Sequence, residues 1–308
     1  MEPNKYGLTP EEIRRYNSET MHLLSLYLNL TPEFITPSEV EELSEEFSVT
    51  REVAYATILA TACGLRTARE DRVYFENYFL PMVREMDPLE FETDPYYENI
   101  RIPDGESGKW ELKTMTLRPC EAFVRDDPVV YPDGRMIPSI GYFMREFPYP
   151  AVLEGGREWM TLMPNETVTT LPAVHRSHGR VLTFGLGLGY FAYRAALRPE
   201  VESVTVVELS EDAAALFRAH ILPQFESPEK VTVVVSDAFA FLEDMKDGEY
   251  DFVFADIWHD VGDGRELYHR FREFEPRFPS TEFTYWLEET ILCYERDELW
   301  DKEYRNEG

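Results

Sequence analysis

VLTFGLGLGYFAYRAAL, running from Val181 to Leu197, reads as an apolar strand, a glycine-rich turn and an amphipathic helix. In such a unit Gly185 permits the tight turn, and Gly187, beside Leu186, lets the backbone approach a ligand. Gly189 lets the helix sit close to the strand. The turn is GxGxG; the GxGxxG of nicotinamide dinucleotide sites places its third glycine one residue later. Working outward, VESVTVVELS is a second buried strand that ends in Glu208 and Leu209, with Glu208 19 residues after Gly189. That spacing puts a carboxylate at the end of a neighbouring strand, where it can accept hydrogen bonds from both hydroxyls of a ribose. A third strand, VTVVVSDAFAFL, ends in Asp237, suited to an adenine amino group, with the Ala238 amide available to a ring nitrogen. A fourth, YDFVFADIWHD, ends in Asp256. Strands that each deliver a turn or a carboxylate at their carboxyl ends are the mark of an open α/β sheet with a nucleotide site.

N-terminal to this core the periodicity changes twice. Residues 8–90 read as helices, with capping signals at Thr9-Pro10-Glu11-Glu12 and Thr36-Pro37-Ser38-Glu39. Helices are predicted over roughly 10–29, 38–47, 51–63 and 69–86. LSEEFSVTREVAYATIL has the look of a helix-turn-helix, but the surrounding Glu39, Glu41, Glu42, Glu45 and Glu46 would repel phosphates, so a helical bundle or dimer surface is the better reading. From about 93 to 162 the period becomes that of strands, with turns at Pro103-Asp104-Gly105, Pro132-Asp133-Gly134 and Gly155-Gly156. A short helix over 166–178 leads into the glycine-rich segment. The predicted fold is therefore α/β: a Rossmann-like parallel sheet with helices on both faces over 179–308. It is preceded by a β-hairpin region and linking helix over 93–178 and an N-terminal helical domain over 1–92.

Composition narrows the function. The 308 residues carry 59 acidic against 30 basic side chains, a net charge of -29, which disfavours nucleic acid as a partner and would attract a cationic one. Three separated cysteines, Cys63, Cys120 and Cys293, form neither a disulfide framework nor a zinc site, and no other metal-binding pattern is present. No apolar run reaches the roughly 18 residues of a membrane span, and the N-terminus lacks a signal-peptide core, so a cytoplasmic, acidic protein is expected. The last 28 residues are strongly acidic.

The block from about 150 to 270 resembles a class I S-adenosylmethionine-dependent methyltransferase domain, and within that superfamily it is most similar to the spermidine synthase family. GLGLG, Glu208 and the SDAF around Asp237 carry the first likeness. LEGGREWMTLMPNETVTTLPAV before the first strand and DIWHDVGDGRELY after the fourth carry the second, over about 120 of 308 residues. The resemblance implies S-adenosylmethionine or its decarboxylated form as cofactor, a small-molecule acceptor, possible pairing into a homodimer through N-terminal elements, and Asp256 as candidate base. Three departures from the family pattern stand out. Its glycine turn reads GGGDG, with an Asp for the amine of decarboxylated S-adenosylmethionine, where this chain has Leu188. The second Asp of its DxxD segment is His259 here, followed by Asp260. Its tyrosine in the preceding helix corresponds to Thr169 or Thr170.

Transfer from a sulfonium is an in-line displacement that needs a base only when the nucleophile arrives protonated. Asp256 is the first candidate, His259, whose ordinary pKa of about 6.5 suits the work, the second, and Asp260 the third. Trp258 can lie beside a cationic group or simply fill the core. His175 and His178 sit where a helix ends and are accounted for by its dipole, and Tyr268 is expected to fill space beneath the loop. The leading expectation is an S-adenosylmethionine-dependent methyltransferase acting on a small molecule, cationic or an amine. Its alternatives are an aminopropyl or other alkyl transferase of the spermidine synthase type, and a non-catalytic S-adenosylmethionine-binding protein. The roughly 50 residues after Asp256 read as mostly helical, so the fifth strand and final hairpin of a methyltransferase sheet are expected to be trimmed or supplied by a partner.

Overall fold

A computed structural model describes residues 4–29, 35–68 and 70–296, which form two compact units. The end of the acidic C-terminal run lies outside the described residues. The first unit comprises residues 1–88 and 116–147, the second 89–115 and 148–308.

The first unit holds α1 (Pro10–Asn29), α2 (Pro37–Phe47), α3 (Arg51–Ala62), α4 (Arg72–Tyr74) and α5 (Leu80–Met82), the last two joined by a π-helical turn, Phe75–Phe79. Thr36 and Glu39 cap α2 reciprocally, and Thr9 and Glu12 exchange hydrogen bonds at the start of α1 in the same way. Ala54, Tyr55, Ala56, Leu59 and Ala60 of α3 are all buried in the unit's core. Where one helix was predicted to reach residue 86, the chain leaves it after Met82 and enters β1 (Val83–Glu85). There it pairs in parallel with β5 (Met136–Tyr142), which also pairs antiparallel with β4 (Ala122–Val130). Every residue of β5 is buried, and pairing with such a strand overrides the local helical pattern of 83–86.

The second unit begins with α6 (Leu89–Glu92) and α7 (Pro95–Asn99) and holds most of a four-stranded sheet of β2 (Gly105–Ser107), β3 (Trp110–Leu117), β6 (Phe147–Glu154) and β7 (Arg157–Thr161), in the order β2-β3-β6-β7, with β2 antiparallel to β3 and β6 antiparallel to β7. α8 (Pro164–Arg176) leads to the main sheet, made of β8 (Gly179–Phe184), β9 (Val201–Glu208), β10 (Val231–Val235), β11 (Phe252–Ala255) and β12 (Glu282–Tyr285). Its order is β10-β9-β8-β11-β12 and all its pairings are parallel. The connections carry α9 (Tyr190–Ala196), α10 (Glu211–Leu216), α11 (Ala238–Asp244) and α12 (Val261–Phe274). The four residues of β11 are all buried, as are Val181 to Phe184 of β8, which is the near-continuous apolar run of strands covered on both faces. This is an α/β fold with a Rossmann-like parallel sheet.

One expectation is corrected here. The sheet does have a fifth strand, and the chain supplies it: Phe252 to Ala255 of β11 lie in register with Glu282 to Tyr285 of β12. EFTY is short and half-polar, and it gains its identity from the buried neighbour rather than from its own pattern. The chain runs outward from β8 through β9 to β10, then returns to the other side of β8 for β11. The reversal opens a crevice at the carboxyl ends of β8 and β11, the place where open α/β sheets bind ligands.

Candidate active site

The crevice is built first by the glycine turn. Phe184 and Ala255 are register partners, and the Asp256 amide donates to Phe184 O at 2.9 Å, so the turns after β8 and β11 lie against one another. Gly185 has φ +94°, and a Cβ there would stand 1.8 Å from the Asp256 carbonyl oxygen; no side chain fits. Gly187 also has positive φ, but its open side is filled from the protein: a Cβ would meet Met160 Sδ at 2.0 Å. Gly189 caps α9 in the left-handed region, against the ring of Phe217. Leu188 is wholly buried, its carbonyl accepting from the Tyr96 hydroxyl and its amide 3.2 Å from Met160 Sδ.

A cavity of about 570 Å³ opens over these turns. Of the residues singled out from sequence, Gly185, Leu186, Gly187, Glu208, Leu209, Asp237, Ala238, Asp256 and His259 line it, while Gly189 and Asp260 do not. Glu208 ties two loops together, accepting from Ser210 N at 2.8 Å and Leu186 N at 3.3 Å. Burial lifts its pKa, and these amides draw it part of the way back. Leu209 beside it is 72% exposed, an apolar platform next to an acceptor-only group. Asp237 caps α11, one oxygen taking the amides of Phe239 at 3.0 Å and Ala240 at 2.9 Å.

The catalytic candidates divide sharply. Asp256 faces the cavity with no hydrogen-bond or ion-pair partner for its carboxyl among the described residues, and burial pushes its pKa up to about 7. His259 Nε2 lies 3.1 Å from the Glu158 carbonyl oxygen, which accepts only, so the neutral ring carries its proton there. Its Nδ1 lies 3.5 Å from Asp260 Oδ2 and makes no hydrogen bond among the described residues. The ring therefore fastens the loop after β11 to β7. Asp260 caps α12 in a reciprocal box with Asp263. Burial raises its pKa, but the amides of Gly262 and Asp263 and the His259 ring outweigh that and hold it below the usual carboxylate value. Trp258 is buried, edge-on to Phe271, and also forms part of the cavity wall. Thr169 accepts the Trp286 indole N–H at 2.8 Å, and Thr170 is buried. Tyr268 is buried with its hydroxyl on Glu288.

Several lining residues were not anticipated. Glu166, in the first turn of α8, faces the same cavity, and its carboxyl also has no partner among the described residues. Burial, and then the charge of Asp256, raise its pKa well above the ordinary value. Trp110, Trp159, Trp258 and Trp286, all the tryptophans among the described residues, line the cavity together. Lys109 is paired with Glu154, and Arg270 lies 3.6 Å above the Phe239 ring. Five carboxylates, Glu154, Glu166, Glu208, Asp237 and Asp256, thus face two cations and four indoles. Such a lining suits a positively charged ligand bearing hydroxyl donors.

Residues 162–277, under half of the chain, are similar to the family model described as spermine/spermidine synthase domain. Over 94 residues the chain is 28% identical to putrescine N-methyltransferase 1 of Nicotiana tabacum, covering 30% of this chain and 25% of that protein. Over 109 residues it is 32% identical to spermidine synthase of Dictyostelium discoideum, covering 34% and 38%. The matched stretches thus span between a quarter and two fifths of these curated relatives. Among solved structures, spermidine synthase of Thermotoga maritima aligns at a TM-score of 0.30 and 15% identity, over 40% of this chain and 48% of that one. The segment from 162 to 277 carries β8 to β11, Glu208, Asp237 and Asp256, so the stretch that matches the family model supplies most of the cavity lining.

Proposed function

We propose that the second unit is a transferase that moves the methyl group of S-adenosylmethionine to the nitrogen of a small amine. The carrying observation is Asp256: a cavity-facing carboxyl without a protein partner, raised to about 7, beside the glycine turn and among indole walls. An amine reaches the site as an ammonium ion and must lose a proton before it can act as a nucleophile. A carboxylate whose conjugate acid has a pKa near 7 accepts that proton far better than an ordinary one.

The donor set fits the cofactor. Glu208 would accept from ribose hydroxyls, Asp237 and the Ala238 amide would address the base, Leu209 would support its ring, and the indole walls would suit the sulfonium charge. When bound, S-adenosylmethionine supplies a methyl carbon on a positively charged sulfur. The protein's part is to hold the amine in line, take its proton at the Asp256 carboxylate and keep water out. Leu188, buried and locked through its backbone, offers no carboxylate for the amine of a decarboxylated cofactor, and the similarity to putrescine N-methyltransferases supports the same choice. Aminopropyl transfer is the second reading, favoured by the family domain over 162–277 together with Asp256.

Thermal unfolding with S-adenosylmethionine, decarboxylated S-adenosylmethionine, S-adenosylhomocysteine and NAD separates these readings. At a hundredfold excess over Kd, binding adds about 2.7 kcal/mol and raises the midpoint by several degrees. Shifts with S-adenosylmethionine and S-adenosylhomocysteine, followed by methylation of putrescine, support methyl transfer. A shift with the decarboxylated form alone selects aminopropyl transfer, and none at all sinks both.

A further inference from the structure

Glu166 and Asp256 stand apart from the other carboxyls of the cavity. Glu154 is neutralised by Lys109, Glu208 is satisfied by backbone amides, and Asp237 caps α11. The remaining two come from different elements, the first turn of α8 and the end of β11, and are near enough for the charge of one to bear on the other. Neither touches a donor of the protein among the described residues, which leaves both open to a donor entering the cavity. A carboxyl facing a cavity without a partner is costly, and two of them are costlier still.

We infer that Glu166 is a second acceptor-binding carboxyl, gripping the reacting nitrogen together with Asp256 and selecting amines whose charged form carries at least two N–H groups. The inference rests on the amine-transfer reading given above. One ammonium N–H bond breaks, the proton passes to Asp256 and its electron pair stays on nitrogen. A second N–H remains bonded to Glu166, so the nitrogen is held while its lone pair turns toward the methyl carbon. The new N–C bond then forms as the C–S bond breaks, and that bonding pair leaves with sulfur as a neutral thioether. A primary or secondary ammonium satisfies both carboxyls. A tertiary one has a single N–H, which goes to Asp256 and leaves Glu166 unmet, so tertiary amines are poor substrates and quaternary products do not form.

The test measures kcat and KM for putrescine and for N,N,N′,N′-tetramethylputrescine in the wild type, Glu166→Gln and Glu166→Leu. Each variant is first shown to keep the S-adenosylmethionine-induced rise in unfolding midpoint. The wild type is expected to prefer putrescine by tenfold or more. Glu166→Leu should lose about tenfold to a hundredfold of kcat/KM on putrescine, mostly through KM, with little change on the tertiary amine. Glu166→Gln, with the same volume and a remaining acceptor, should fall between. A wild type that uses both amines equally, or a Glu166→Leu that keeps the full preference, overturns the inference and leaves amine methylation standing. A wild type that binds S-adenosylmethionine but methylates neither amine overturns both.

Discussion

Asn17 in the first unit and the carboxyls of Asp256 and Glu166 in the second are polar groups of opposite kinds. In the first, Asn17 is almost fully buried and closes on the protein itself: it donates to Gly134 O at 3.0 Å, and its carbonyl accepts from Met136 N at 3.0 Å and the Tyr78 hydroxyl at 3.1 Å. Nearby, the Tyr74 and Thr20 hydroxyls meet at 2.7 Å, and Tyr55 donates to Cys120 O at 2.9 Å. In the second unit the carboxyls of Asp256 and Glu166 face the cavity and meet no partner among the described residues. The difference separates polar groups that specify a fold from polar groups held ready for a ligand, and it does so without reference to residue type.

The contrast can be broken most forcefully at Asp256. Asp256→Asn should lower kcat by roughly a hundredfold to ten-thousandfold while S-adenosylmethionine binding changes less than about threefold. Steady-state kinetics beside calorimetric titration check this, and unchanged turnover would remove Asp256 from its role. Asn17→Ala should have the reverse character, costing on the order of 1–3 kcal/mol of stability because the buried Met136 amide loses its acceptor and the bonds to Gly134 O and the Tyr78 hydroxyl go with it. Urea unfolding reads it, and a loss below about 0.5 kcal/mol would mean that the first unit's network is not what holds it. The smallest effect is of opposite sign. Glu166→Gln should raise stability at neutral pH by about 1 kcal/mol, since a poorly solvated carboxyl is replaced by a neutral amide, a gain of stability at a functional position.

pH sharpens the same comparison. Asp256 has a folded pKa of about 7 against an ordinary 3.8, so the folded state holds its proton more tightly than the unfolded one. Its burial is harmless below about pH 4, and stability is lost as the pH rises from there through 7, by at most about 4 kcal/mol. The stabilising effect of Asp256→Asn should therefore appear at pH 8 and vanish below pH 4. In the wild type kcat/KM should climb with pH through about 7 as the carboxylate forms.

Much of this was legible in the chain. Gly185, Glu208, Asp237 and Asp256 announce themselves because each lies at the end of a strongly apolar strand, and the strand ends converge by the rules of parallel sheets. β12 was not legible, because EFTY takes its strand character from β11. Glu166 was missed because nothing local distinguishes a glutamate in the first turn of a helix from one that serves the helix dipole. Only the packing of α8 turns it to the cavity. The capping box of Asp260 and Asp263 was open to view in the sequence, and the nearness of Asp260 to His259 concealed it.

β11 enters the sheet between β8, made long before it, and β12, made after. Parallel neighbours cannot zip together from a tight turn, so this insertion awaits the closing of long loops. A chain emerging from the ribosome completes the strands bearing Gly185, Glu208 and Asp237 first and receives Asp256 last. Until β11 is seated, Asp256 is an ordinary carboxylate in water. Its affinity for a proton is thus a property of the finished sheet, acquired at the moment of assembly, and a half-made chain has no reactive base to expose.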